Sequence, residues 1–336
     1  MSYNIKTLIV FDTNSMRDTD SGSVIYKDFS FGGTFKEINE FISKNELDDF
    51  VQLATSFIAV EELKNQKIQS YESDLGKLKE LARRLEGLPH IPEKHLFIDQ
   101  TDFNCSEHIA EKAETFFADR KILLLDIDDT KAPTVLKSMI GRVLRKDKSP
   151  FSDSGKFKDA GFKDNLVWES LLNYDNVSDY DKVIFVTSDN DFKPNCIEEF
   201  RQKWGKHIVF LKTPAEILAE FENDYGNYIS NREIYEYANT DYFKDFIDDL
   251  LTVVSVIQLP EGDYQVENYR IINLCSKVER APDENNDYES ILIHTEIEID
   301  TSINQEKKTI PVKIITKLSD EDNKEIVEWN SDPMVT

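Results

Sequence analysis

Five carboxylates stand where the pattern of the chain could bring them together: Asp12, Glu62, Asp164, Asp189 and Asp191. Asp12 follows the apolar run Thr7–Phe11, and Asp189 and Asp191 follow the run Val183–Val186. Glu62 lies in the first turns of a helix for which Ser56 is the expected N-cap, and Asp164 opens another helix. In a parallel sheet, strand C-termini and the N-termini of the following helices share one edge, so all five can meet in one crevice. Crowded carboxylates repel and titrate upward unless cations neutralise them. Hard divalent cations with oxygen ligands, Mg²⁺ or Mn²⁺, are the natural partners. Two such ions ~4 Å apart can clamp a phosphodiester, activating water on one side and stabilising the leaving oxygen on the other. Phosphodiester hydrolysis is the chemistry expected of this set.

Two further stretches bear on chemistry. Residues 137–163 carry Lys137, Arg142, Arg145, Lys146, Lys148, Lys156, Lys158 and Lys163 against only Asp147, Asp153 and Asp159. Such a patch can contact phosphates, which positions a substrate without reading its sequence. Arg142, Arg145, Lys158 and Lys163 are the candidate substrate contacts, with Lys163 nearest the site because it adjoins Asp164. The run L-L-L-D-I-D-D-T at 123–130 matches the nucleophile signature of haloacid-dehalogenase-like phosphatases, with Asp126 as nucleophile and Asp128 as acid/base. That signature opens the first strand of its fold, whereas roughly 120 residues precede it here, and no later G-D-x-x-x-D run follows. An acidic turn at a strand end is the competing reading.

The elements that must hold these residues alternate. Thr7–Phe11 and Val183–Val186 read as strands buried on both faces, and Phe50–Ala54, Ile122–Leu125 and His207–Leu211 as further short strands. Helices are expected over Lys36–Asn45, from Ser56 to about Gly87, over 106–118 and over Asp164–Asn173. The long helix carries the stripe Ile68, Tyr71, Leu75, Leu78, Ala82 and Leu85. Gly-rich residues 12–34 and Ser149–Gly161 read as loops. Thr213-Pro214-Ala215-Glu216 is a capping box with proline at the first helical position. Alternating strands and helices from 5 to 223 predict an α/β three-layer sandwich with a mainly parallel sheet. After a helical stretch near 232–257, residues 263–329 change to period-2 patterning. Ile291, Ile293, Thr295, Ile297 and Ile299 share one face and His294, Glu296 and Glu298 the other, as in an antiparallel sheet with one wet face. The expected domains are 1–240 and 241–336, the second α+β and smaller.

Composition excludes several classes. An apolar share of 40% with 21 Phe and 13 Tyr supports a sizeable core and argues against global disorder. A net charge of −25 argues against a nucleic-acid-coating or membrane-surface protein. Residues 241–336 hold 22 acidic and 9 basic side chains, net −13, which repels nucleic acid and points that part toward a protein partner or a second copy of the chain. Cys105, Cys196 and Cys275 are too scattered for a disulfide frame or a zinc site, and a reducing cytoplasm fits them. The N-terminal apolar run is too short for a signal peptide or a membrane span.

Five segments, in order, resemble the PIN-domain nucleases: L-I-V-F-D-T-N at 8–14, T-S-F-I-A-V-E-E-L at 55–63, G-F-K-D-N-L-V-W-E-S at 161–170, F-V-T-S-D-N-D-F at 185–192 and T-P-A-E-I-L at 213–218. The third looks especially like a bacterial branch of that family. The resemblance implies a cytoplasmic, Mg²⁺- or Mn²⁺-dependent endoribonuclease acting on RNA, in a setting such as a toxin or a phage-defence effector. It makes Asp12, Glu62, Asp164 and Asp189 the metal-binding acids, Asp191 an auxiliary one, and Asn14 and Thr187 polar supports. Either Glu61 or Glu62 could face inward, and the family pattern of an acid six residues after Ser and just before Leu selects Glu62. A PIN-like scaffold that binds RNA or protein without cutting is the alternative. The Glu62–Asp164 separation exceeds that of small PIN domains, so substrate specificity in 87–160 does not carry over, and the resemblance does not reach 241–336.

Overall fold

The computed structural model of the protein describes residues 5–17, 25–86, 103–118, 120–145, 161–189, 192, 195–282, 289–303, 306–319 and 324–335. The chain divides into two compact units, Lys6–Leu218 and one built on Ala219–Thr336.

The first unit is organised on a five-stranded, all-parallel sheet. Its strands are β1 (Thr7–Phe11), β2 (Val51–Ser56), β3 (Leu123–Leu125), β4 (Lys182–Val186) and β5 (Ile208–Leu211), in the order β3-β2-β1-β4-β5. Successive side chains of a strand point to opposite faces, and all five residues of β1 are buried, so both faces of its centre are covered. Between β1 and β4 the strand order reverses, which opens a crevice at their C-terminal ends. The helices of this unit are α1 (Gly33–Lys44), α2 (Phe57–Leu85), α3 (Cys105–Ala118), α4 (Ala132–Arg145), α5 (Phe162–Leu172) and α6 (Asn195–Trp204). Ser56 caps α2 as expected, its Oγ accepting the Ala59 N–H at 3.0 Å. The expected α2 stripe is only partly covered by described elements, with Leu78 half exposed.

Two helices of this unit were not expected. In α4, Val135, Met139 and Arg142 are buried, a 4-then-3 spacing that marks one face of a helix inside the basic stretch. In α6, Cys196 and Phe200 are buried.

α7 (Pro214–Ser230) begins with the expected capping box: Thr213 Oγ1 accepts the Glu216 N–H, and Glu216 Oε2 accepts the Thr213 N–H, both at 3.3 Å. The division between the units falls within this helix.

The second unit pairs α8 (Arg232–Ala238) and α9 (Asp241–Val253) with a five-stranded antiparallel sheet, β10-β9-β8-β7-β6. Its strands are β6 (Val256–Leu259), β7 (Gly262–Pro282), β8 (Glu289–Ile303), β9 (Glu306–Leu318) and β10 (Ile326–Asp332). Ile291, Ile293, Thr295, Ile297 and Ile299 are all buried, as the alternation predicts. The helical stretch expected near 232–257 is two helices, because Thr240 leaves the helix and caps α9. Ile234 and Ala238 of α8 join Phe243, Ile247 and the sheet isoleucines in one core. The unit therefore starts ahead of the boundary expected near residue 240.

Candidate active site

Two acids meet at the β1/β4 crevice. The Asp12 N–H extends the ladder by donating to the Val186 carbonyl at 3.1 Å, which fixes Asp12 as the first residue past β1. The chain then turns through a single 3-10 turn, Asn14–Met16, and the Ser15 N–H donates to Asp12 Oδ1 at 2.8 Å. From β4, the buried Thr187 donates its Oγ1–H to Asp12 Oδ2 at 2.5 Å, and the same Oγ1 accepts the Asp189 N–H at 3.0 Å. One hydroxyl thus joins the two strand ends, holding the Asp12 carboxylate and the Asp189 backbone. Asp12 is 5% exposed. Burial raises its pKa above the ordinary carboxylate range, the bonds from Thr187 and Ser15 pull it back, and the Asp189 charge adds to the rise.

Glu62 comes from the second turn of α2. Its Oε2 accepts the Thr13 Oγ1–H at 2.9 Å, so the residue after Asp12 ties α2 to β1. Its Oε1 receives Gln66 Nε2 at 3.1 Å and faces two cations at 3.5 Å, Arg17 and Lys163. Glu61 pairs instead with Lys64 along the helix at 2.6 Å, so Glu62 is the acid turned toward Thr13. Gly33 permits the Arg17 backbone to lie where it does: its φ is +54°, and a Cβ there would stand 2.8 Å from the Arg17 carbonyl oxygen. Gly161, at φ +79°, is the N-cap of α5 and starts the turn that carries Lys163 and the partly exposed Asp164.

The expected meeting of four carboxylates is only partly found. Among the described residues no three His, Cys, Asp or Glu are grouped to hold a metal ion. Glu62 faces Arg17 and Lys163, each at 3.5 Å. Asp191 and Lys158 lie outside the described residues, as does the side chain of Arg145. Asn14 is exposed, and its neighbours Thr13 and Ser15 do the holding instead. Ser15 was legible as the third residue past Asp12 in an Asx turn, and Gln66 as the i+4 partner of Glu62; Arg17 carried no such signal.

Arg142 is corrected outright. It is 2% exposed and donates to Glu199 at 2.6 and 2.7 Å and to Glu169 at 3.1 Å, so its guanidinium is held inside and does not reach a substrate. Asp126 and Asp128 follow the edge strand β3 and not a central one. Asp128 Oδ1 accepts the Thr130 N–H and Oγ1–H at 2.7 and 2.5 Å just ahead of α4, an acidic turn and not a phosphatase nucleophile pair.

Asp12 and Asp189 offer carboxylate oxygens, and the Asp12 carboxyl is held up by burial and a like charge. A divalent cation would favour the ionised form of both acids, so Asp12 and Asp189 fit a hard cation. None of the described helices is long and apolar enough to cross a membrane.

The sequence of residues 9–192 matches the family model described as PIN domain, more than half of the 336-residue chain. No curated protein and no solved structure matches the chain. With Asp12 and Asp189 at the sheet's switch point inside the matched segment, the chain belongs to the PIN-domain family.

Proposed function

We propose that the protein is a metal-dependent endoribonuclease hydrolysing RNA phosphodiester bonds. The observation that carries this reading is the Thr187 hydroxyl joining Asp12 and Asp189 at the β1/β4 crevice. A buried carboxylate held in place near a second like charge is costly unless the pair serves a cation. Asp12 and Asp189 would hold Mg²⁺ or Mn²⁺, with Glu62 and Asp164 alongside. When bound, the ion supplies Lewis-acid stabilisation of charge on the phosphate and lowers the pKa of a water.

The chain's own groups do the rest. Thr187 and Ser15 hold the Asp12 carboxylate in one orientation and lower its pKa against burial. Lys163 and Arg17, beside Glu62, supply positive charge for the phosphate in a strongly acidic protein. The products expected are 5′-phosphate and 3′-hydroxyl ends. A cytoplasmic location accords with three free, buried cysteines. The acidic second unit is assigned to a protein partner or a second copy of the chain.

One observation favours a second reading, a PIN scaffold that binds RNA without cutting: Glu62 is already balanced by two cations. Mixed RNA incubated with Mn²⁺ and the parent, Asp12→Asn or Asp189→Asn separates the two. Cleavage by the parent alone supports the nuclease. Equal cleavage by all three, or RNA binding with no cleavage of several substrates, removes it.

A further inference from the structure

A cavity of about 190 Å³ opens beside Glu62. Liquid water takes ~30 Å³ per molecule, so the space equals roughly six waters, room for one ring system and not for a duplex or a folded peptide. Its wall includes Arg17, Phe29 and, from α2, Leu63, Gln66, Lys67 and Ser70. Arg17 and Gln66 are also partners of Glu62, so the cavity and the acid site share one wall.

The lining divides by chemistry. Leu63 and Phe29 are apolar, Gln66 and Ser70 are neutral hydrogen-bonding groups, and Arg17 and Lys67 are cations. Lys67 Nζ is fixed by the Asp28 carbonyl at 2.5 Å and stands 5.8 Å from the Phe29 ring centre. A flat heteroaromatic ring with polar edges, joined to a phosphate, matches all three classes at once. The surface next to the cavity continues the theme. Tyr26 and Tyr71, the chain neighbours of the lining residues Ile25 and Ser70, pack at 5.4 Å, and Tyr71 packs on the half-exposed Phe103 at 5.7 Å.

We propose that this cavity is a nucleobase subsite of the cleavage site. The base of a nucleotide neighbouring the scissile phosphate enters against Leu63 and Phe29. Gln66 reads its edge, its amide oxygen accepting from a base N–H, and Arg17 and Lys67 hold the attached phosphate. The Tyr26–Tyr71–Phe103 row receives the next unpaired bases by stacking. The subsite rests on the ribonuclease reading for its biological use and adds to it a defined base next to the cut.

The test is a calorimetric titration of the full chain, with chelator present, by the four ribonucleoside 5′-monophosphates and by inorganic phosphate. At least one monophosphate binds tighter than phosphate by about tenfold or more, Ser70→Trp, which fills the cavity, abolishes that margin, and Lys67→Met weakens binding of that monophosphate by several-fold. No margin over phosphate in the parent overturns the subsite, as does an unchanged monophosphate affinity in the folded variants. Should Ser70→Trp fail to fold, the Lys67→Met result decides. Turnover is not needed for this readout, so the two readings fail separately. A chain that binds a monophosphate in the cavity but cuts no RNA loses the nuclease and keeps the nucleotide site. A chain that cuts RNA with the same base preference in Ser70→Trp keeps the nuclease and loses the subsite.

Discussion

The first unit contains two clusters of charge that differ in how they are balanced. At the heart of one, Arg142 lies between Glu169 and Glu199. Ser138 donates to Glu169 at 2.8 Å, Asn173 donates to it at 2.9 Å, and Trp168 donates to Glu199 at 2.9 Å. Burial works to lower the Arg142 pKa, and the two carboxylates overcome it and hold the guanidinium charged. In the other, hydroxyl and amide donors hold the Asp12 carboxyl, burial raises its pKa and the like charge of Asp189 adds to the rise. Both clusters cost desolvation. The first balances its cost with opposite charge, which is what a structural element needs. In the second, the Asp12 carboxyl is held by neutral hydroxyl and amide donors beside a like charge, which suits a cation site.

The largest effect expected from breaking this comparison is on the balanced side. Arg142→Ala leaves two carboxylates without their cation and should cost about 3–5 kcal/mol in chemical denaturation of the first unit. Specific activity per folded molecule should stay within roughly twofold, since Arg142 does not reach the crevice. A loss under about 1 kcal/mol would erase the contrast. At Asp12 and Asp189 the signs reverse. Asp189→Asn should keep its fold by circular dichroism and lose more than about 100-fold in RNA cleavage, beyond the ~10–100-fold typical of groups one step removed from a metal.

How much of this contrast was readable in sequence depends on the interaction. Asp12, Thr187 and Asp189 lie at strand ends, and a buried apolar run followed by a polar residue is a local signal, so their placement followed from pattern. The capping boxes at Ser56 and Thr213 were readable for the same reason. Arg142 was misread as a surface cation because its partners are 27 and 57 residues away and no local pattern reports them. The spacing Val135, Met139, Arg142 held the clue, an arginine where the buried stripe of a helix calls for an apolar residue. Arg17 was missed because its place depends on Gly33, a contact between the loop after β1 and the start of α1. The start of the second unit was set too late because α8 alone does not reveal which core its Ile234 and Ala238 fill.

Two smaller effects sharpen the comparison. Thr187→Val removes the hydroxyl that holds the Asp12 carboxylate and the Asp189 backbone and should lower cleavage by about 10–100-fold with Asp12 and Asp189 still in place. Unchanged activity would mean that the bridge is incidental. The smallest effect is on stability against pH. The folded-state pKa of Asp12 is raised, so its contribution to stability is fully present below the ordinary carboxylate value near ~3.9 and is lost as pH rises through the raised value. Asp12→Asn never ionises. It should therefore gain on the parent through that window, melting higher by about 2–4 °C per kcal/mol at neutral pH, with a smaller difference in acid. A difference that does not change with pH would contradict the shift.

The central claim, that Asp12 and Asp189 form a cation site, is tested most directly by calorimetric titration of Mn²⁺ into the parent and into Asp12→Asn, with Asp126→Asn as the control. The account predicts that the parent and Asp126→Asn bind alike, and that Asp12→Asn loses at least roughly tenfold in affinity. Equal binding by Asp12→Asn, or no binding by the parent, would contradict it.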